Sequence, residues 1–239
     1  MTKLLDGKIA LVTGASRGIG YALAAELASH GAHIIAVART IGGLEDLDDK
    51  IQKTGGSATL VPTDLREADG IDQIGAAIAE RWGKLDILVG NAGMLGALSP
   101  VPHTEPDVWD DVFAVNVTAN YRLIRSMDTL LRASDDGRAL FITSTVGNEP
   151  RAYWGAYAAS KAALESIVQT YALETAEAGL QVNLLNPGGT RTAMRARAMP
   201  GEKPDSLPRP AEVASKAVKM LLPDWQQTGQ RLHLSDLES

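Results

Sequence analysis

The stretch Ile9-Ala10-Leu11-Val12-Thr13-Gly14-Ala15-Ser16-Arg17-Gly18-Ile19-Gly20 passes from an apolar run of strand length through three glycines into an amphipathic segment. Each glycine has a physical task in a strand–turn–helix unit. Gly14 permits the tight turn, Gly18 lets a phosphate approach the backbone, and Gly20 lets the helix lie close to the strand. A helix that starts here presents free N–H groups and the positive end of its dipole to the turn. Ser16, Arg17 and Ile19 belong to the same cradle, which at this spacing suits the pyrophosphate of a dinucleotide. A tight turn with no ligand is the alternative.

The same alternation continues outward from that turn. Apolar or β-branched runs at Ile9–Thr13, His33–Ala38, Ala58–Pro62, Ile87–Asn91, Ala139–Ser144, Val182–Asn186 and Arg231–Leu234 read as strands. Amphipathic stretches at Ile19–His30, Leu44–Thr54, Ile71–Trp82, Trp109–Arg132, Tyr157–Ala178 and Ala211–Leu222 read as helices. Nearly continuous apolar strands, each followed by a helix, predict an α/β fold with a parallel sheet of about seven strands, covered on both faces. Right-handed crossovers make it a single Rossmann-type, doubly wound domain over residues 1–239, with its crevice at the carboxyl ends of the strands. The proline- and charge-rich stretch Arg195–Pro210, within a segment 190–210, reads either as a substrate lid or as an irregular surface connection.

Composition sets the outer limits. The 239 residues carry 23 basic and 29 acidic side chains and no cysteine. Disulfides, thiolate metal sites and cysteine nucleophiles are excluded together. A net charge of −6 argues against a nucleic-acid footprint. No apolar run is long enough for a membrane span, and Met1–Lys8 lacks a signal-peptide core. The expectation is a soluble cytoplasmic protein. His30, His33, His103 and His233 show no metal-ligand spacing, so no metal is expected.

The end of the second strand bears on the choice of dinucleotide. An acidic residue there would accept from a free ribose 2′-hydroxyl, but the chain reads Ala36-Val37-Ala38-Arg39-Thr40. A guanidinium on a 2′-phosphate gains ~1.5–3 kcal/mol, on the order of ten- to a hundredfold in affinity. Arg39, with Arg17 as a second charge and no carboxylate in competition, favours NADP(H). Either arginine is otherwise a solvated surface residue. Asp64 stands where it would accept from the adenine amino group, or cap a helix beginning near Arg66. Leu65 follows it at the same edge. Asn91-Ala92-Gly93 ends the fourth strand with small residues against which the adenine ribose can lie.

Tyr157 and Lys161 are four apart on a helical segment and so project from one face. Free tyrosine titrates near 10, too high for a neutral-pH base, and a neighbouring ammonium favours the phenolate. A drop of ~3 units asks for ~4 kcal/mol, within reach of two positive charges in a dry cleft. Ser144 offers a hydroxyl that orients or polarises a carbonyl, and Asn116 a group to hold a water that links Lys161 to solvent.

Taken together, these residues resemble the short-chain dehydrogenase/reductase family from Asp6 to Leu234. Its glycine motif falls on Gly14, Gly18 and Gly20, and its Asn-Ala-Gly motif on Asn91, Ala92 and Gly93. Its catalytic tetrad falls on Asn116, Ser144, Tyr157 and Lys161, with the serine thirteen residues before the tyrosine. Its Pro-Gly motif falls on Pro187 and Gly188, with Thr190 and Thr192 at the positions that meet the nicotinamide amide or the phosphates. Thr190 departs from the more usual valine or isoleucine, and Ser235–Ser239 from a glycine-rich tail that makes tetramer contacts. The resemblance implies hydride transfer between NADP(H) and a carbonyl or alcohol substrate, with Tyr157 as acid–base group. Lys161 binds the nicotinamide ribose and acidifies Tyr157, Ser144 steadies the substrate, and Asn116 completes a proton relay. It also implies a homo-oligomer, dimer or tetramer, built on the long fourth and fifth helices. A non-catalytic NADP(H)-binding regulatory protein is the rival reading, although such relatives usually lack the tyrosine or the lysine.

Several other residues have two readings. Arg151, Arg191, Arg195 and Arg197 either meet an anionic substrate or form a solvated face or subunit contacts, the latter being favoured. Met94, Leu95, Leu98, Tyr153 and Trp154 wall an apolar pocket or pack the core.

Overall fold

A computed structural model describes residues 3–237. Expectations that touch Met1, Thr2, Glu238 and Ser239 lie outside the described residues. The strands are β1 (Ile9–Thr13), β2 (His33–Ala38), β3 (Ser57–Pro62), β4 (Ile87–Gly90), β5 (Arg138–Ile142), β6 (Gln181–Asn186) and β7 (Arg231–His233). They form one seven-stranded sheet in the order β3-β2-β1-β4-β5-β6-β7. Every pairing is parallel, with Ala10, for example, opposite Ile34 on β2 and Ile87 on β4.

The helices are α1 (Gly18–Ser29), α2 (Ile41–Lys53), α3 (Ala68–Trp82), α4 (Pro106–Phe113), α5 (Ala119–Arg132), α6 (Gly155–Thr175), α7 (Ala193–Ala198) and α8 (Pro210–Ala217). They cover both faces of the sheet. Alternate side chains of β1 go to opposite sides: Ala10 and Val12 join a core with α1, α2 and α8, while Ile9 and Leu11 join one with α3, α5 and α6. All five β1 residues are buried, which is why the central strands read as unbroken apolar runs. Strand β3 lies at the edge and is only partly covered. Among the described residues no helix is long and apolar enough to cross a membrane.

Most elements begin or end within a few residues of the sequence reading, and three of the differences have a tertiary reason that bears on the cleft. Strand β4 stops at Gly90 because the Asn91 amide leaves the ladder and donates to Thr13 Oγ1 at 3.0 Å. Strand β5 stops at Ile142, and a short 3₁₀ turn over Thr145–Gly147 carries Ser144 into the cleft. The expected continuous helix Trp109–Arg132 is broken by a π-helical turn at Ala114–Thr118, between α4 and α5. A π turn inserts one residue into the helical ring. Here it contains Asn116, whose amide is drawn sideways onto the Met94 backbone.

Candidate active site

Strand order reverses between β1 and β4, and a cleft of about 590 Å3 opens at their carboxyl ends. Its floor includes Gly14, Ser16, Arg17, Gly18 and Ile19 of the first turn, with Ala92 and Gly93 after β4. Gly14 (φ 66°) and Gly18 (φ 63°) lie in the left-handed region, where a side chain is strained. A Cβ on Gly14 would stand 2.8 Å from Asn91 Nδ2. Gly20 does not line the cleft. Its Cβ would stand 2.5 Å from the Gly14 carbonyl oxygen, so its role is close helix–strand packing. Arg17 is the N-cap of α1 and no side chain caps the first turn. Those N–H groups therefore face the cleft without a protein partner of that kind, as an anion cradle requires.

Asn91 is more than a small residue beside a ribose. Its Nδ2 donates to the Thr13 carbonyl at 2.8 Å, and the Asn91 and Ala92 amides donate to Thr13 Oγ1 at 3.0 and 3.1 Å. Asn91 thus staples the ends of β1 and β4 together at the cleft floor.

Arg39 lines the cleft at the end of β2, alongside Asp64 and Leu65. The expectation that Arg39 has no competing carboxylate is corrected: Asp64 Oδ2 lies 3.8 Å from Arg39 Nη1. Arg66 takes most of that carboxylate, with Nη2 at 2.7 Å and its own amide on Oδ1 at 3.0 Å. The Arg66 hydrogen bonds hold the Asp64 carboxyl below its usual range. Asp64 does not cap a helix, because α3 starts at Ala68 with Glu67 as N-cap.

At the other end of the cleft stand Ser144, Tyr157 and Lys161. Tyr157 and Lys161 lie one turn apart near the start of α6, and both are buried. Burial pushes the Tyr157 phenol up to about 12, while a hydrogen bond with Ser144 pulls it the other way. The expected acidification by Lys161 is therefore not present in the protein alone. Lys161 Nζ sits 5.8 Å from the Tyr157 ring centroid and donates to the Ile142 carbonyl at 2.8 Å. Burial lowers its own pKa to about 8, and the Glu165 charge acts in opposition.

Asn116 is buried and does not line the cleft. Its Oδ1 accepts from the Met94 amide at 2.7 Å, and its Nδ2 donates to Met94 O and Ser160 Oγ, both at 2.9 Å. Both Nδ2 donors are thereby used, while Oδ1 keeps a second lone pair. The Asn116 main-chain carbonyl accepts from Asn120 Nδ2 at 2.9 Å.

After β6, Pro187, Gly188, Thr190 and Thr192 complete the wall. Gly188 has φ 66° and donates its amide to Asn186 Oδ1 at 3.0 Å. Thr190 is buried, and Thr192 Oγ1 caps α7 by accepting from the Arg195 amide at 3.2 Å. The segment 190–210 is not merely irregular. It contains α7 and is cross-braced by Arg191–Asp205 at 2.8 Å and by Arg195 on both Glu202 oxygens at 2.6 and 2.7 Å. Ala198, with Met194 and Met199, packs on Leu95, Val146, Trp154 and Tyr157, giving this end of the cleft an apolar lining. Leu98 and Tyr153 are instead exposed.

Sequence reasoning missed a polar cluster behind Ser144. Thr143 Oγ1 donates to Glu165 Oε1 at 2.6 Å, and Arg231 Nη2 reaches Asn148 Oδ1 at 2.8 Å and the Ser144 carbonyl at 3.4 Å. The available signal was Glu165 itself, a carboxylate one turn beyond Lys161 beside the buried Leu164 and Val168.

Comparison with known proteins agrees with this geometry. The family model described as short chain dehydrogenase matches residues 8–203. A protein of Escherichia coli K12, described as the uncharacterized oxidoreductase YciK, is 42% identical over 213 residues, covering 88% of this chain and 84% of that protein. The 2,3-dihydro-2,3-dihydroxybenzoate dehydrogenase of Bacillus subtilis is 37% identical over 195 residues, covering 81% of this chain and 74% of that one. A short chain dehydrogenase of Shigella flexneri 2a, solved in complex with NADP, superposes with a TM-score of 0.92 at 38% identity, covering 98% of this chain and all of that one. With this sheet order, this glycine turn and these relatives, the chain belongs to the short-chain dehydrogenase/reductase family of oxidoreductases.

Proposed function

We propose that this protein transfers a hydride between NADP(H) and a carbonyl or alcohol substrate, with Tyr157 as acid–base group. The observation that carries the reading is a single cleft with an uncapped glycine turn and Arg39 at one end, and Ser144 with the buried Tyr157 and Lys161 at the other. The residues fit a dinucleotide: Gly14 and Gly18 on the cleft floor hold a left-handed backbone that bears no side chain between it and a phosphate, and Arg17 and Arg39 line the same cleft. Bound there, NADP(H) supplies or accepts the hydride.

The chain's own residues do the rest. Gly14, Ser16, Arg17, Gly18 and Ile19 hold the phosphates, and Arg17 with Arg39 selects the 2′-phosphate. Asp64, Leu65, Asn91, Ala92 and Gly93 form the wall for the adenosine half; Pro187, Gly188, Thr190 and Thr192 form that for the nicotinamide half. Ser144 donates to the substrate oxygen, and Tyr157 Oη gives that oxygen its proton in reduction and takes it back in oxidation. Lys161 holds a positive charge one turn away and binds the ribose. Asn116 fixes the Met94 backbone beside them. Segment 190–210 acts as the lid, with the apolar face of α7 excluding water from Tyr157. A homo-oligomer through α5 and α6 would cover the exposed Tyr121 and Leu173.

The test is NADPH oxidation with a panel of ketones by wild type and by Tyr157→Phe, with NADPH binding measured alongside. Turnover by wild type that falls by about a thousandfold in the variant, at unchanged NADPH affinity, is expected. Equal inertness of both proteins with NADPH still bound would favour a non-catalytic regulator.

A further inference from the structure

Four arginines lie near the substrate end of the chain's cleft, and the fold sorts them. Arg191 is held by Asp205 and Arg195 by Glu202. Arg151 is exposed and does not line the cleft. Arg197 lines it and has no ion-pair or hydrogen-bond partner among the described residues.

Its position is set by α7. Met194, Arg197 and Ala198 are spaced i, i+3 and i+4, which puts them on one helical face. Ala198 and Met194 on that face belong to the apolar group around Tyr157. Arg197 therefore stands at the Tyr157 end of α7, about 7 Å along the helix from Thr192 at its start. The surrounding segment is basic as well: residues 190–210 hold five basic and two acidic residues in a chain of net charge −6. An unpaired guanidinium beside an apolar lining matches a ligand with an apolar body and an anionic end. With Arg191 and Arg195 paired to Asp205 and Glu202, Arg197 is the guanidinium of this segment that lines the cleft without such a pair, and a single guanidinium suits a monoanionic carboxylate.

We propose that Arg197 binds the carboxylate of the substrate, so that this site takes oxo acids, or the matching hydroxy acids, with an apolar chain between the two groups. This rests on the cleft being the substrate site proposed above, but equilibrium binding tests it without turnover. The probes are octanoate and 1-octanol, titrated calorimetrically into the protein saturated with NADP+, using wild type, Arg197→Gln and Arg197→Glu. Arg197 is exposed, so both variants are expected to fold, and circular dichroism checks this.

Octanoate is expected to bind wild type about tenfold more tightly than octanol. That ratio should collapse towards one in Arg197→Gln, reverse in Arg197→Glu, and shrink with added salt. Turnover of a series of aliphatic oxo acids against their methyl esters should follow the same order. Equal binding of the two probes to wild type overturns the proposal, as does a ratio that survives Arg197→Gln. A loss of NADP+ affinity in Arg197→Gln with the probe ratio intact also overturns it, because the arginine then serves the dinucleotide. Arg197-dependent octanoate binding with no ketone turned over would instead count against the proposed chemistry while leaving the carboxylate site standing.

Discussion

Arg231, on the last strand, places its Nε 2.9 Å from the buried carboxylate of Glu165 on α6, in an ion pair whose N–H is not aligned for a hydrogen bond. The pair joins the sheet edge to the helix that carries Tyr157 and Lys161, directly behind Ser144. Glu165 is also the charge that opposes the loss of the Lys161 proton on burial. Among the described residues no other carboxylate acts on that ammonium, which also donates to the Ile142 carbonyl. Glu165 is thus expected to act on the site through Lys161, as a positioning residue.

Replacing Glu165 by Gln removes that opposition, so Lys161 should lose its proton at a lower pH than about 8. The alkaline limb of the kcat profile should move to lower pH, with KM for substrate little changed. The buried pair is broken as well, and urea denaturation should report a loss of ~3 kcal/mol. A purely structural role would lower stability without moving the profile.

Asp86 contributes to acid stability away from the cleft. Burial pushes its carboxyl up, but hydrogen bonds from Ser134, Ile9 and Lys84 and the charge of Lys8 outweigh this, leaving the pKa below 3.8. The folded value is below the unfolded one, so the carboxylate stabilises the fold above pH 3.8 and ceases to do so as pH falls through the folded value. Asp86→Asn should cost ~2 kcal/mol at neutral pH. Its difference from wild type should shrink below pH 3.8, as thermal melts across acid pH can read.

Two glycines of the first turn should respond differently to alanine. At Gly20 the added methyl group meets the Gly14 backbone at 2.5 Å, so Gly20→Ala should cost ~2 kcal/mol or more as helix and strand move apart. At Gly18 the nearest atom is Thr192 Cγ2 at 3.6 Å, leaving mainly the φ of 63°, a cost of ~1–2 kcal/mol. Gly18→Ala should instead weaken NADPH binding, read by fluorescence titration.

Arg39 should set the preference between dinucleotides. NADPH is expected to bind on the order of tenfold or more tightly than NADH in wild type, with the ratio lost in Arg39→Asp. Asp64→Asn, which frees Arg39 from the carboxylate 3.8 Å away, should raise the ratio. Equal affinity for both in wild type would remove the role given to Arg39.

Much of this was legible in the sequence because it rests on local rules. The glycine turn needs three residues at fixed spacing after a strand, and the seven strands stood out as apolar runs bounded by helical periodicity. What escaped depends on contacts between distant segments. The π turn at Asn116 follows from its amide meeting Met94, 22 residues away. Glu165 reads locally as one polar residue on a helix, and only the arrival of Arg231 from β7 shows its place. Arg197 could not be told from Arg191 and Arg195 until Asp205 and Glu202 took the latter two. Residue spacing also gave the Tyr157–Lys161 pair without its burial, and in the protein alone burial drives the phenol's pKa up, the reverse of what the ammonium favours.

That reversal defines the central claim: Tyr157 stays a phenol in the protein alone and becomes acidic only when the positive oxidised dinucleotide lies beside it. The decisive measurement is the tyrosinate difference absorbance of wild type minus Tyr157→Phe, followed from neutral pH to pH 10, with and without NADP+. Without NADP+ the difference should stay flat, since burial holds this phenol near 12. With NADP+ a tyrosinate signal should rise below pH 10. A difference that stays flat with NADP+ bound would contradict the account.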